Sequence, residues 1–319
     1  MKKIIVIAGP TAVGKTEYAI KVAEAFNGEV VSCDSMQLYQ YMDIGSAKPT
    51  AQELAAVPHH LVGVVHPGEP FSVAEYQRLA KTAIADILAR GKTPVIAGGT
   101  GLYLNSLLYE MDFGKTPKDE KLRKDLEDEA QTDGPLAIYN RLREVDAHAA
   151  ERIHPNNVKK VIRALEAALS GDNIGDFKNC TQRCKDYDTI LIGLTRDRQE
   201  LYDRINLRVD KLMQLGLPEE VKGLLSMGLT EDDISMKGIG YKEIIGCFNG
   251  EYSIEEAVEL IKKNTRHLAK RQLTWFKRYD DMHWLDISEY TDDETAIEEL
   301  ILWLKNKLKS TTKVTSPTT

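Results

Sequence analysis

The chain has 319 residues, of which 42% are hydrophobic and 29% are charged. These fractions are typical of globular proteins and exclude collagen-like and disordered chains, and the length suggests about two domains. No apolar run approaches the roughly 18–20 residues of a membrane-spanning helix, and four cysteines in so long a chain form no disulfide framework. We therefore expect a soluble protein of the reducing cytoplasm without a membrane partner.

The charges are distributed unevenly along the chain. The net charge of −7 by itself argues against a polyanionic partner. Residues 286–299, however, contain seven acids and no Lys or Arg, and the rest of the chain has 42 acids and 42 bases. Residues 262–278 contain seven bases and no acid. The overall charge thus conceals a basic patch, and local charge is what attracts a polyanion.

Strands and helices alternate in the N-terminal part of the chain. Residues 4–8 form a β-branched run typical of a strand buried on both faces, and a helix is predicted from residue 15 to about 26. Two further strands are predicted at 29–33 and 94–97, with an amphipathic helix that Ser72 can cap between them. This alternation predicts a parallel sheet with helices on both faces.

A phosphate-binding motif directly follows the first strand and opens the first helix. It matches G-x-x-x-x-G-K-[ST] and consists of Gly9, Pro10, Thr11, Ala12, Val13, Gly14, Lys15 and Thr16. Its backbone N–H groups and the helix N-terminus suit phosphate oxygens, Lys15 supplies a point charge, and the Thr16 hydroxyl suits Mg²⁺. The motif predicts a site for a di- or triphosphate and does not specify ATP; the alternative is a glycine-rich turn that binds nothing.

An acid follows the second predicted strand. ATP hydrolases normally have an acidic residue that holds Mg²⁺ directly after a buried strand. The strand at 94–97 runs into Gly98-Gly99-Thr100-Gly101 and supplies none, whereas the strand at 29–33 is followed by Asp34. Ligands of open α/β sheets bind at the carboxyl ends of strands, so Asp34 is predicted to be a metal-shell acid or a base beside the phosphates. A helix-capping role is the alternative.

The alternation stops between residues 113 and 188, where the chain is rich in charge and has helical periodicity, and it returns with a strand at 189–194. The predicted fold is therefore α/β: a P-loop NTPase-like parallel sheet flanked by helices, with an inserted helical domain. The core comprises 1–112 and 189–309, and the insertion comprises 113–188. Residues 310–319 are polar and predict a flexible tail.

Further motifs occur in a fixed order along the chain. They are D-S-M-Q at 34–37, G-S-A-K-P at 45–49, A-G-G-T-G-L-Y at 97–103, R-I-N-L-R-V-D at 204–210, G-I-G-Y-K-E at 238–243 and K-R-Q-L-T-W-F at 270–276. This set resembles the bacterial tRNA dimethylallyltransferases of the IPP transferase family. The resemblance runs from residue 3 to about residue 284.

The resemblance implies a particular reaction. Dimethylallyl diphosphate would place its diphosphate in the P-loop with Mg²⁺ at Thr16. The exocyclic N6 amine of the adenosine 3′ of the anticodon would attack the allylic carbon, giving N6-isopentenyladenosine and diphosphate. The implied partners are a tRNA anticodon stem-loop and dimethylallyl diphosphate, and we expect the enzyme to act as a monomer.

The resemblance also implies roles for individual residues. Asp34 would be the general base, because a carboxylate can take the proton that the attacking amine loses, and Thr100 would orient that amine. Lys15 and Arg208 would stabilise the charge that grows on the leaving diphosphate. The amide of Gln37 is able to read the edge of a base.

Two basic clusters are predicted to contact RNA. One lies on the acid-free segment near the C-terminus, where bases alternate with aromatic residues, and the other follows Pro155 in the insertion. Arg123 is assigned to RNA by the resemblance alone. The predicted tRNA contacts are Asp34, Ser35, Met36, Gln37, Thr100, Arg123, Lys159, Lys160, Arg163, Lys270 and Arg271.

Other functions remain open on the sequence. The first alternative is a relative that prenylates free AMP or ADP; the insertion and its basic cluster favour RNA, because a nucleotide needs neither. A small P-loop kinase and an ATP-binding regulatory module are more remote alternatives. Cys180 and Cys184 have C-x-x-x-C spacing without a second pair, so no structural zinc site is predicted.

Overall fold

A computed structural model describes residues 2–111, 113, 119–171 and 182–312 of the chain. Cys180 and the predicted tail from residue 313 onward lie outside these residues, and residues 310–312 belong to the last helix. Within the described ranges, no helix is both long and apolar enough to cross a membrane.

The chain divides into two compact units. The larger unit is formed by Met1–Leu108 together with Cys184–Thr319, and the smaller unit is formed by Tyr109–Arg183. The larger unit contains the sheet, and the described residues of the smaller unit form four helices.

A parallel sheet is the centre of the larger unit. Its strands are β1 (Lys3–Ala8), β2 (Gly28–Ser32), β3 (His59–His60), β4 (Thr93–Gly98), β5 (Asp188–Thr195) and β6 (His283–Asp286). Their order is β3-β2-β4-β1-β5-β6, and every neighbouring pair is parallel. The predicted parallel sheet is confirmed, and the two strands that the sequence did not predict, β3 and β6, are its short edges.

Helices surround the sheet of the larger unit. The larger unit has α1 (Lys15–Ala25), α2 (Ala51–Ala56), α3 (Val73–Ala89), α4 (Gly101–Leu108), α9 (Arg198–Gln214), α10 (Leu217–Ser226), α11 (Tyr241–Phe248), α12 (Ile254–Phe276) and α13 (Asp293–Thr312). The smaller unit has α5 (Glu120–Thr132), α6 (Pro135–Val145), α7 (Ala147–Arg152) and α8 (Val158–Leu169).

Local sequence explains why these elements begin where they do. Ser72 and Glu75 form a capping box that starts α3 as predicted. The side chain of Ser72 accepts the backbone N–H of Glu75, and the side chain of Glu75 accepts the backbone N–H of Ser72. The β-branched side chains of β1 are at most 2% exposed because helices lie on both sides of the sheet. The hydrophobic core therefore lies on the two faces of the sheet and leaves its carboxyl edge open for a site.

Three strand ends that carry sequence motifs are neighbours at this edge. Strand β4 lies between β1 and β2, with Ala8 opposite Gly98 and Ser32 opposite Ala97. A Cβ atom at Gly98 would lie 2.1 Å from the carbonyl oxygen of Cys33, so only glycine allows this close approach. The order of the strands thus brings together the P-loop, the segment after β2 and the Gly-Gly-Thr turn after β4.

The smaller unit has a core of its own. Its four helices pack around Leu126, Ile138, Leu142, Val161 and Leu165, each of which is at most 1% exposed. Helix α8 buries one face in this core and presents the opposite, basic face to solvent. This arrangement explains the helical periodicity that the sequence shows between its two sheet-forming parts.

Candidate active site

A cavity of about 670 Å³ lies at the carboxyl edge of the sheet, entirely within the larger unit. Twelve of the predicted site residues line it: Thr11, Ala12, Gly14, Lys15, Thr16, Asp34, Ser35, Met36, Gln37, Thr100, Arg208 and Arg271. Another part of the wall is apolar. It is formed by side chains of α9, of α12 and of the loop before α11, among them Ile205, Val209, Leu212, Ile239 and Leu268. The cavity therefore combines a phosphate-binding loop, an acid, bases and an apolar surface.

The P-loop turns sharply into α1. Ala12 and Gly14 have positive φ values of 64° and 111°, which the loop needs in order to fold around an anion. The Nζ atom of Lys15 donates to the carbonyl oxygen of Pro10 at 2.7 Å. Burial lowers the pKa of Lys15 to about 8, an effect that nearby Asp34 opposes and Arg208 reinforces. A bound diphosphate would supply a negatively charged partner for this buried ammonium group.

Two arginines support the P-loop from its outer side. Arg196, which is 8% exposed, donates to the carbonyl oxygen of Val13 at 3.2 Å and pairs with Asp293 and Glu200. Arg204 donates to the carbonyl oxygen of Ala12 at 3.1 Å. The sequence did not single out Arg196 or Asp293, because their contact joins residues 97 positions apart.

Asp34 is held by one of its two carboxylate oxygens. Its Oδ1 atom accepts backbone N–H groups of Met36 at 2.9 Å and Gln37 at 3.4 Å, so it caps a turn and not a helix. In the part of the chain that the structure describes, no hydrogen bond to its Oδ2 atom is found. The carboxylate is thus oriented by the backbone, with one oxygen left for chemistry.

Thr100 is joined to the segment after β2. Its Oγ1 atom accepts the backbone N–H of Ser35 at 3.0 Å and lies 3.3 Å from the Ser35 hydroxyl. Its backbone carbonyl accepts from Leu104 in the first turn of α4. The side chain therefore connects two strand ends and does not cap its own helix.

The amide of Gln37 contacts protein on both sides. Its Oε1 atom accepts from the hydroxyl of Ser32 at 3.1 Å, and its Nε2 atom donates to the carbonyl of Ala47 at 3.2 Å. An amide has a second lone pair and a second N–H. Gln37 lines the cavity and keeps unused hydrogen-bonding capacity, and base reading by this residue stays a prediction.

A glutamate fixes the loop at 43–46 beside the cavity. The carboxylate of Glu220 accepts three consecutive backbone N–H groups, from Asp43, Ile44 and Gly45, at 2.7–2.9 Å. It also accepts the hydroxyl of Tyr241 at 2.8 Å. Four donors on one carboxylate make this loop a rigid wall, and no local sequence signal points from residue 220 to it.

The predicted diphosphate arginine and the basic helix face the same cavity. Arg208 lines it from α9, and burial lowers the pKa of Arg208 while the charge of Asp34 raises it. On α12, Lys270 and Arg271 are exposed, and only Arg271 of the two lines the cavity. Arg266 donates to Asn206 at 2.6 Å, so it is tied to α9 and the free basic face is narrower than the sequence indicates.

The RNA-binding residues predicted in the smaller unit have different surroundings. Lys159, Lys160 and Arg163 are exposed on one face of α8, and no ion pair to them is found among the described residues. Arg123 pairs with the buried carboxylate of Glu166. Its guanidinium is therefore already engaged within the unit, and an RNA contact at Arg123 stays a prediction.

The donor set of the cavity fits Mg²⁺ bound together with a diphosphate. Thr16 and Asp34 supply oxygen atoms to the cavity wall. Among the described residues, no three His, Cys, Asp or Glu side chains are grouped as a metal site of their own. Mg²⁺ is usually held by one or two protein oxygens plus substrate phosphates, as these residues would allow.

The fold and the cavity are those of a P-loop protein, with the phosphate-binding motif at the carboxyl edge of the sheet. The sequence model of the IPP transferase family matches residues 37–279. The chain belongs to this family, which confirms the resemblance seen in its motifs.

Named relatives match nearly the whole chain. The tRNA dimethylallyltransferases of Alkaliphilus oremlandii and Clostridioides difficile are 51% and 50% identical to it, over 97% of this chain and 99% and 100% of theirs. A structure of the full-length tRNA isopentenylpyrophosphate transferase of Bacillus halodurans is 42% identical, with a TM-score of 0.75 over 98% of this chain and 99% of that one. A eukaryotic dimethylallyltransferase acting on tRNA is 30% identical, with a TM-score of 0.85 over 98% of this chain and 80% of that one.

Proposed function

We propose that this enzyme transfers the dimethylallyl group of dimethylallyl diphosphate to N6 of the adenosine 3′ of the anticodon in tRNA. The observation that carries the proposal is a single cavity in which the P-loop faces the paired segments of Asp34 and Thr100. The names of the relatives support tRNA as the acceptor and a dimethylallyl group as the group transferred. The enzyme is proposed to work in the cytoplasm as a monomer with Mg²⁺.

The donor half of the reaction belongs to the P-loop. The bond between the allylic carbon and the diphosphate oxygen breaks, and negative charge grows on the diphosphate. Lys15 and Arg208 are fixed positive charges in the cavity wall, where they stabilise that charge. Thr16 would hold Mg²⁺, which when bound supplies further positive charge to the diphosphate.

The acceptor half belongs to Asp34 and Thr100. A bond forms between N6 and the allylic carbon, and the amine must lose a proton. The free Oδ2 atom of Asp34 is the proposed acceptor of this proton, while its Oδ1 atom stays bound to the backbone of Met36. Thr100, held by the N–H of Ser35, orients the amine through its hydroxyl.

The apolar part of the cavity suits the prenyl group. Ile205, Val209 and Leu212 on α9 and Leu268 on α12 line the wall beside the polar groups. An apolar wall holds the dimethylallyl group and keeps water away from the allylic carbon, which water would otherwise attack.

An RNA acceptor accounts for the basic residues outside the catalytic group. Lys270 and Arg271 are exposed on α12, and three further bases are exposed on α8. Such residues suit the phosphates of a stem-loop, and an anticodon-loop nucleotide leaves its stack at low cost. A free nucleotide would need neither cluster.

The proposal is tested by incubating the protein with dimethylallyl diphosphate, Mg²⁺ and unmodified tRNA, followed by digestion and mass analysis of the nucleosides. We expect one adenosine derivative that carries a dimethylallyl group and maps to the position 3′ of the anticodon. Parallel reactions with AMP and ADP should give no product. Prenylated AMP or ADP without prenylated tRNA would refute the proposal, as would phosphate transfer from ATP.

A further inference from the structure

One side chain of α12 bridges the backbones of two loops of the site. The Oε1 atom of Gln272 accepts the backbone N–H of Thr11 in the P-loop at 2.8 Å. Its Nε2 atom donates to the carbonyl oxygen of Gly99, after β4, at 3.0 Å. The two contacts span 261 and 173 positions of sequence, so they are made by the tertiary fold alone.

The chemistry of the bridge requires an amide of this length. The P-loop offers a donor and Gly99 offers an acceptor, and a planar amide presents one atom to each. Rotating the amide by half a turn would place its NH₂ group against the N–H of Thr11 and its oxygen against the carbonyl oxygen of Gly99. A Cβ atom at Gly99 would lie 2.3 Å from Nε2 of Gln272, so the glycine is what lets the bridge form.

The neighbours of Gln272 dock the same stretch of α12 on the same edge of the sheet. A Cβ atom at Gly101 would lie 2.3 Å from the ring of Trp275, so helix and turn are in direct contact there. The preceding residue, Arg271, lines the cavity. One turn of α12 thus carries a predicted RNA contact, the bridge and an aromatic contact.

The two bridged loops hold the two halves of the reaction. Thr11 belongs to the loop proposed to bind the diphosphate, and Gly99 precedes Thr100, which is bonded to Ser35 beside Asp34. Prenyl transfer needs N6 and the allylic carbon at a set separation, and a misplacement of about 1 Å costs roughly 10²-fold in rate. The side chain that spans both loops is therefore in a position to set that separation.

We propose that Gln272 is a positioning residue that fixes the distance between the diphosphate loop and the adenosine site. The inference rests on the proposed function. Gln272 acts through the backbones of Thr11 and Gly99, and a direct contact with RNA is the competing role, because Lys270 and Arg271 are its neighbours.

The test compares Gln272→Met and Gln272→Glu with Thr274→Ala, an exposed position on the same helix whose hydroxyl donates to the carbonyl oxygen of Lys270 within α12. Methionine keeps the length and loses both hydrogen bonds. Glutamate keeps the acceptor for Thr11 and places an oxygen against the carbonyl of Gly99. In both Gln272 variants we expect the single-turnover rate, with both substrates saturating, to fall about 10²-fold. Inorganic diphosphate should bind several-fold more weakly, and Thr274→Ala should match the wild type.

Affinity for tRNA without the donor separates positioning from RNA contact. We expect it to stay within about twofold of wild type in both Gln272 variants, because the bridge touches no RNA. Weaker tRNA binding with an unchanged single-turnover rate would assign Gln272 to the RNA interface and overturn the proposal. An unchanged rate in the well-folded Gln272→Glu protein would overturn it as well. Failure of the proposed function itself would appear separately, as a wild-type protein that prenylates no tRNA.

Discussion

At the scale of single residues, the arrangement of Asp34 separates two possible roles. One oxygen is committed to the turn, and the other remains for a proton or for Mg²⁺. Asn at this position keeps the Oδ1 acceptor and therefore the turn, but it cannot take a proton. The substitution thus tests chemistry with little change of structure.

We expect Asp34→Asn to lower the single-turnover rate about 10²–10⁴-fold, with the binding of tRNA and of dimethylallyl diphosphate nearly unchanged. Asp43→Asn, on the same segment with an exposed side chain, is the control. A metal-binding role would appear differently, as weak diphosphate binding that excess Mg²⁺ partly restores. A near-normal chemical step in Asp34→Asn would exclude Asp34 as the base.

The lowered pKa of Lys15 predicts that the binding of a diphosphate depends on pH. Burial lowers its pKa from 10.5 to about 8 in the free protein, and a bound diphosphate favours the charged form. Binding above pH 8 therefore requires proton uptake, and affinity should fall about tenfold per pH unit there. Asp34 and Arg208 are the charged groups that face this ammonium. Calorimetry with inorganic diphosphate from pH 7 to about 9.5 measures the effect.

Lys15→Arg is the matched variant for this measurement, because arginine stays protonated throughout the range. Its diphosphate affinity, whatever its absolute value, should lack the decline that begins near pH 8. An identical decline in both proteins would assign the pH dependence to another group.

At the scale of elements, α12 has one face that is proposed to contact RNA and another that packs on the sheet edge. Its exposed bases, Lys270 and Arg271, are proposed to contact phosphates, whereas Gln272 and Phe276 face the protein. The charge pattern of the exposed face is visible in the sequence. The contacts of the inward face are not, because they join residues that are distant in sequence.

Lys270→Ala and Arg271→Ala should each weaken tRNA binding regardless of sequence and reduce the slope of log affinity against log salt by about one unit. Binding titrations at several salt concentrations measure the slope. Lys305→Ala, an exposed base on α13, should leave it unchanged. An unaltered slope in Lys270→Ala and Arg271→Ala would remove α12 from the RNA interface.

Elements differ in how far the sequence predicted them. Strands β1, β2, β4 and β5 were placed to within one or two residues, because buried parallel strands are continuous β-branched runs. The edge strand β3 has two histidines and β6 is a mixed run, so neither has such a pattern.

The site residues, like the strands, were predictable from the sequence only where they belong to a local pattern. The P-loop and Asp34 are local motifs at strand ends, and the structure brings them into one cavity with Thr100 and Arg208. Gln272, Glu220 and Arg196 act on loops distant in sequence, so only the folded chain reveals them. Their residue types are polar and ordinary, and no spacing rule connects them with their partners.

At the scale of the whole molecule, the acidic run near the C-terminus has a structural use. Asp293, at the start of α13, pairs with the buried Arg196 and accepts the hydroxyl of Tyr18 on α1. Arg196 in turn holds the P-loop at Val13. The acids that make the net charge negative thus include one that pairs with the arginine that holds the P-loop.

Asp293→Ala should destabilise the protein by roughly 2 kcal/mol, less than the 3–5 kcal/mol typical of breaking a buried pair, because Arg196 keeps Glu200. It should also weaken inorganic diphosphate binding through the loosened loop. Denaturant unfolding and calorimetry measure the two effects. Glu294→Ala, exposed one residue further on, should stay within about 0.5 kcal/mol of wild type.

The link between Asp293 and Arg196 also orders events during synthesis. The P-loop comes before α13, the helix that Asp293 begins, in chain order. Chains emerge from the N-terminus, so the loop made first gains its full support only when α13 has been made. A nascent chain without α13 therefore lacks part of the support of its P-loop, and loss of α13 from a finished chain would loosen a loop that lies far from it in sequence.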